Sequence, residues 1–258
     1  MADSTLHIDY AEIKAQVAQL LHGVRDTSGL SADDAANVES LLKTGLRRFY
    51  YPQTVNPDLR HEWTFLRPAF DLEVHDGISD YEMPGTFGGC LGSLHFDEDD
   101  NTHGPVRKVD EDQIVYLRSY SNSASGNPTC YAERPKAGEG SKTQRWEIML
   151  WPEPDADYTL HGRYRVHPQA LTDDQQYAYG GVEHSETILQ SCLAAAEQQK
   201  GEAGLHTAAF MAALTGSIQF DQSNHRADWL GYNGDRGARR YRRAYEDVAT
   251  VGGVAYTG

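Results

Sequence analysis

The sequence predicts an α+β chain in which N- and C-terminal helix pairs form a four-helix bundle, with an antiparallel β-sandwich or barrel inserted between the pairs and an extended arm at the C-terminus. Three observations carry this expectation. Apolar residues recur at helical spacing over the first 50 residues and return to it after residue 181; the spacing falls towards two in between; and the chain beyond residue 220 is irregular. The regions are 1–56 for the first helices, 57–180 for the β insertion, 181–220 for the returning helices and 221–258 for the arm.

Asp9 and Glu12 make a capping pair, and Tyr10, Ile13, Val17, Leu20, Leu21 and Val24 follow on one helical face, which predicts a helix over 10–23. Ser31 opens a second helix. Asp33 and Asp34 sit in its first turn, where the helix dipole favours negative charge, and Val38, Leu41, Leu42, Leu46 and Phe49 form its apolar stripe up to a stop before Pro52. After Gly180-Gly181, Ile188, Leu189, Cys192, Leu193 and Ala196 outline a third helix ending at Gly201, and Leu205, Phe210, Leu214 and Ile218 a fourth. Helices this short need partners for their apolar stripes, and packing all four together is the simplest solution.

Between them, residues 158–166 alternate Tyr158, Leu160, Tyr164 and Val166 with Thr159, His161, Arg163 and Arg165, the pattern of a strand with one buried face; Gly162 interrupts it as a bulge. Trp146, Ile148 and Leu150 alternate similarly before Pro152, and shorter strands are expected near 63–66, 70–74, 114–120 and 129–134.

With 258 residues, 39% hydrophobic and 24% charged, the chain fits neither a collagen-like, a disordered nor a membrane class, and no apolar run approaches the length of a membrane span. The opening MADSTLHIDY lacks the order of a secretory signal, so a cytoplasmic site of synthesis and use is expected. A net charge of −15 argues against non-specific attraction to a phosphate backbone. That charge is unevenly spread: residues 221–258 carry six arginines against five acids, +1 in all, which leaves −16 on the preceding 220 residues.

Motifs with chemistry are scarce. Asp97 to Asn101 begin like a calcium loop, but the sixth and twelfth positions are Thr102 and Lys108 in place of Gly and Glu, so a solvated hairpin tip is expected. His61-Glu62 and His184-x-Glu186 lack the partners of zinc motifs. Gly85 to Gly92 match no phosphate or dinucleotide fingerprint and are expected to form a turn. Neither a metal nor a cofactor is expected. Cys90, Cys130 and Cys192 match no CxxC spacing and read as reduced, buried thiols, although Cys90 with a histidine base is the one arrangement compatible with a cysteine hydrolase. The Tyr- and Trp-rich strands leave a carbohydrate- or receptor-binding protein open, with Trp63 and Trp151 as unassigned candidates, while Trp146, Tyr158 and Tyr164 fall on the core alternation.

The tail offers the clearest candidate site. Trp229, Leu230 and Tyr232 stand between turn formers directly before Arg236, Arg239, Arg240, Arg242 and Arg243. Trp, Tyr and Arg dominate interface hot spots, so 221–258 reads as a docking arm; the competing reading folds Trp229 and Tyr232 back on the helices.

Phe49-Tyr-Tyr-Pro52, His61-Glu-Trp-Thr-Phe-Leu-Arg-Pro68, Arg145-Trp-Glu-Ile-Met-Leu-Trp-Pro-Glu-Pro-Asp155, Tyr158-Thr-Leu and the stretch from Gly180 to Glu197 together resemble the head-to-tail connector, or adaptor, proteins of tailed double-stranded DNA bacteriophages. The resemblance implies a non-enzymatic virion protein of the phage neck, assembled in the host cytoplasm. It implies self-association into a ring, typically a dodecamer, beneath the portal protein, with the tail or neck proteins below and no membrane partner. It also implies that the helices form the ring and that 221–258 embrace the portal. Double-stranded DNA would pass through the lumen without specific binding, and an acidic wall lowers the friction of that passage. The acidic turns at 97–100 and 110–112 are candidates for that wall, and equally for ordinary solvated loops.

Overall fold

A computed structural model describes residues 4–52, 61–97, 103–120, 124–201, 204–224, 248–251 and 254–257. Its contacts divide the chain into Met1–Gln219 and Phe220–Gly258. Five helices are present among the described residues: α1 (Tyr10–His22), α2 (Ala32–Tyr50), α3 (Glu111–Tyr120), α4 (Ser185–Lys200) and α5 (Leu205–Asn224). Asp9 starts α1 by accepting the Glu12 N–H at 2.7 Å, and Gly23 ends it in the left-handed region, which leaves Val24 outside the helix and exposed. Ser31 Oγ caps α2 through the Asp34 N–H at 3.2 Å, and α2 stops before Pro52 as expected.

Residues of α1, α2, α4 and α5 share one apolar core, in which Ile13, Val17, Val38, Leu46, Phe49, Ile188, Cys192, Ala196, Phe210 and Leu214 are buried. α4 lies at its centre and is buried almost all round from Thr187 to Glu197. The start of α5 is capped from another helix: the Glu197 carboxylate of α4 accepts the N–H groups of His206 at 3.1 Å and Thr207 at 2.9 Å.

The strands are β1 (Ala69–Val74), β2 (Asp80–Glu82), β3 (Phe87–Cys90), β4 (His95–Phe96), β5 (Arg107–Lys108), β6 (Cys130–Pro135), β7 (Trp146–Trp151), β8 (Tyr158–Val166), β9 (Val248–Val251) and β10 (Val254–Thr257). β8 is the centre of one sheet, with β1 along one edge and β3 and β4 along the other. A second sheet runs in the order β2-β7-β6-β5. Leu72, Phe87 and Leu160 from the first meet Tyr131, Ile148 and Leu150 from the second in a shared core that also holds Leu94.

Several expectations are corrected. Residues 114–120, expected as a strand, belong to α3, and β5 and β6 pair in parallel, where an antiparallel arrangement was expected throughout. The two corrections have one cause, because parallel neighbours need a crossover and α3 supplies it between β5 and β6. α3 then covers the outer face of the second sheet, where Ile114 packs with Cys130, Ala132 and Met149. Met149 is therefore buried along with Ile148 and Leu150, and β7 does not alternate.

Residues 63–66, also expected as a strand, place Trp63 ahead of a 3-10 turn at Thr64–Leu66. Gly162 is no bulge: it pairs in register with Phe70, and a Cβ there would collide with Leu94 and stand 3.0 Å from Phe70 Cε1. The register shift lies in β3, between Phe87 and Cys90, within the stretch expected to be a turn. In the C-terminal unit β9 and β10 form an antiparallel pair with Val251 opposite Val254, where irregular chain was expected.

Candidate functional site

The last turn of α2 carries Arg47 and Arg48, cations placed where the helix dipole favours them. Beside them α2, α4 and α5 leave an open groove of about 660 Å³. Phe210 and Leu214 form its apolar floor, and Tyr51 and Met211 lie exposed along it. Arg48 is steered by a 2.7 Å hydrogen bond from its Nη2 to Gln198 Oε1, while Arg47 is exposed. Next to the groove, α5 turns an unusual surface outwards. Leu205 is 73% and Met211 56% exposed, and residues 205–219 contain no Asp, Glu, Lys or Arg. Charge-free helix surface of this kind is normally covered.

The docking residues expected from sequence, Trp229, Leu230, Tyr232, Arg236, Arg239, Arg240, Arg242 and Arg243, lie outside the described residues. So do residues 98–101 of the acidic cluster. The acidic turn expected at 110–112 is the start of α3, with Glu111 and Asp112 in its first turn. Among the described residues no group of three His, Cys, Asp or Glu could hold a metal ion, and no helix is long and apolar enough to cross a membrane.

Cys90 sits in a polar clasp between the two sheets. Its backbone N–H donates to Glu133 Oε1 at 2.6 Å, Lys108 Nζ pairs with Glu133 Oε2 at 2.8 Å, and the Tyr131 hydroxyl donates to the Gly92 carbonyl at 2.5 Å. Burial, and then the neighbouring Glu133 carboxylate, push the Cys90 thiol well above its ordinary range, the opposite of what activates a nucleophile. Burial also pushes Cys192 up to about 12. All three cysteines are free and buried.

The aromatic residues divide similarly. Trp63, one candidate for a sugar platform, is 1% exposed; its Nε1–H donates to the Phe49 carbonyl at 2.9 Å and its ring packs against Phe49, Phe65 and His184. Trp63 fastens the end of α2 to the start of the β region and has no face to offer a ligand. The most exposed aromatics among the described residues are instead Tyr116 and Tyr120, stacked on α3 with centroids 6.1 Å apart.

A helical core, two sheets and a groove edged by Arg47 and Arg48 define an α+β protein. Residues 8–245 match the model of the family described as SU10 adaptor protein, and the chain belongs to that family. This agrees with the resemblance to phage head-to-tail adaptors. No curated protein matches the chain. Membership of an adaptor family points to a structural virion component that works with portal and tail proteins.

The groove was missed in the sequence because its walls are 150 residues apart along the chain, as in the Arg48–Gln198 pair. The available signal was the charge-free run over 205–219, in a chain of which 24% is charged.

Proposed function

We propose that this protein forms a ring beneath the portal of a tailed bacteriophage, continues the DNA channel and presents the surface to which the tail attaches. The observation that carries the reading is the family match over residues 8–245, nearly the whole chain. The helical regions 1–56 and 181–220 build the ring, typically a dodecamer in proteins of this kind, 57–180 face the tail or the outside, and 221–258 reach the portal. Trp229, Leu230 and Tyr232 anchor that arm, and Arg236, Arg239, Arg240, Arg242 and Arg243 pair with acidic portal groups. The net charge of −16 on residues 1–220 suits a wall along which DNA slides without being held.

The test is truncation after residue 224, which leaves α5 (Leu205–Asn224) whole. The shortened chain is expected to fold, by circular dichroism and thermal melting, and to lose binding to purified portal. Undiminished binding would remove the arm from the mechanism.

A further inference from the structure

The two ends of α2 carry opposite charge. Its start holds Asp33, exposed, and Asp34, and its last turn holds Arg47 and Arg48 at the edge of the apolar groove. At 1.5 Å rise per residue, Asp33 and Arg47 are about 21 Å apart along one rigid helix. They cannot satisfy each other within a copy. The segment leading into Asp33 is also shaped as a contact. Asp26 accepts the Ser28 N–H at 2.9 Å and sets a 3-10 turn at Thr27–Gly29, just after the exposed Val24, and Arg25 is the one cation between Gly23 and Asp34.

The geometry points to the groove of α2, α4 and α5 as the seat of a second copy of this chain, which inserts its Gly23–Asp34 segment so that Val24 meets the apolar floor and Asp33 meets Arg47. Charge complementarity favours this occupant: the groove is basic and apolar on a chain of net charge −15, and the segment is acidic with Val24 as its one large exposed apolar side chain. Because the two surfaces lie at different places on the chain, the contact is head-to-tail, and repetition closes a ring or runs on as a filament. The charge-free face of α5 beside the groove is covered by the same contact. The inference rests on the ring proposed above and names the surfaces that build it.

The test is a charge swap in the full-length chain. Wild type is expected to self-associate in gel filtration with light scattering, and to dissociate as salt screens the contact. Arg47→Glu and Asp33→Arg should each weaken association by on the order of tenfold or more, because each places like charges opposite one another. Mixing the two variants should restore it, since the glutamate groove of one then faces the arginine turn of the other. Circular dichroism of each variant confirms folding. If wild type assembles and both variants assemble equally well, the groove is wrong and the ring stands. If wild type remains monomeric at all concentrations and salts, both the contact and self-association as the source of the ring are overturned. Failure of the mixture to recover, with both variants folded, also removes the Asp33–Arg47 pairing.

Discussion

Gly45 of α2 lies directly against the backbone of Cys192 in α4: a Cβ at position 45 would stand 2.6 Å from the Cys192 Cα and 2.7 Å from its nitrogen. The approach is also hydrogen-bonded, with Ser191 Oγ donating to the Gly45 carbonyl at 3.0 Å. Alanine is the better helix former by about 1 kcal/mol, but overpacking against backbone costs about 1–3 kcal/mol, so Gly45→Ala should lose up to about 2 kcal/mol in urea unfolding. Gly216, in α5 with open space around it, supplies the contrast. Gly216→Ala should gain about 0.5–1 kcal/mol in the same experiment.

Glu197 gives a pH dependence. Burial alone raises its pKa, but hydrogen bonds from the Thr207 and His206 N–H groups and the Thr207 hydroxyl outweigh burial and hold it below its ordinary 4.5. A lowered carboxylate contributes stability that is present above the unfolded value and lost as pH falls through the folded one. The gap in urea midpoint between wild type and Glu197→Gln should therefore be widest near neutral pH and shrink below about pH 4.5. A gap unchanged down to pH 3 would contradict the capping role.

Trp63 should be worth more than any surface aromatic. Trp63→Ala opens a cavity among Phe49, Phe65 and His184 and is expected to cost about 3–5 kcal/mol. Tyr120→Ala, at a position 82% exposed, should stay within about 0.5 kcal/mol of wild type. Chemical denaturation of both variants checks the contrast.

Thiol chemistry tests the remaining enzymatic reading. With Cys90, Cys130 and Cys192 all buried, the folded protein should resist a thiol-directed reagent at pH 8, and all three should react in denaturant. Rapid labelling of Cys90 in the folded chain would reopen the hydrolase.

The helices were legible because their signals are local. Asp9 and Ser31 cap where the side-chain pattern says they should, and the apolar stripes follow at helical spacing. α3 was not legible, since Val115, Tyr116 and Tyr120 resemble strand residues in composition while only Ile114 of the helix is fully buried. Its helical state is decided by the parallel pairing of β5 and β6, a relation between segments more than 20 residues apart. The role of Gly162 was equally hidden, because the side chains that exclude a Cβ come from Leu94 and Phe70. Of the site, the arm was read from side-chain chemistry alone, whereas the groove exists only once α2, α4 and α5 have packed.

Electron microscopy of purified portal mixed with this chain tests the central claim most directly. The account predicts an added ring at one end of the portal, coaxial with its channel, built from copies of this chain and present on most particles. Portal particles unchanged in outline, with the chain left free in the supernatant after sedimentation, would contradict it.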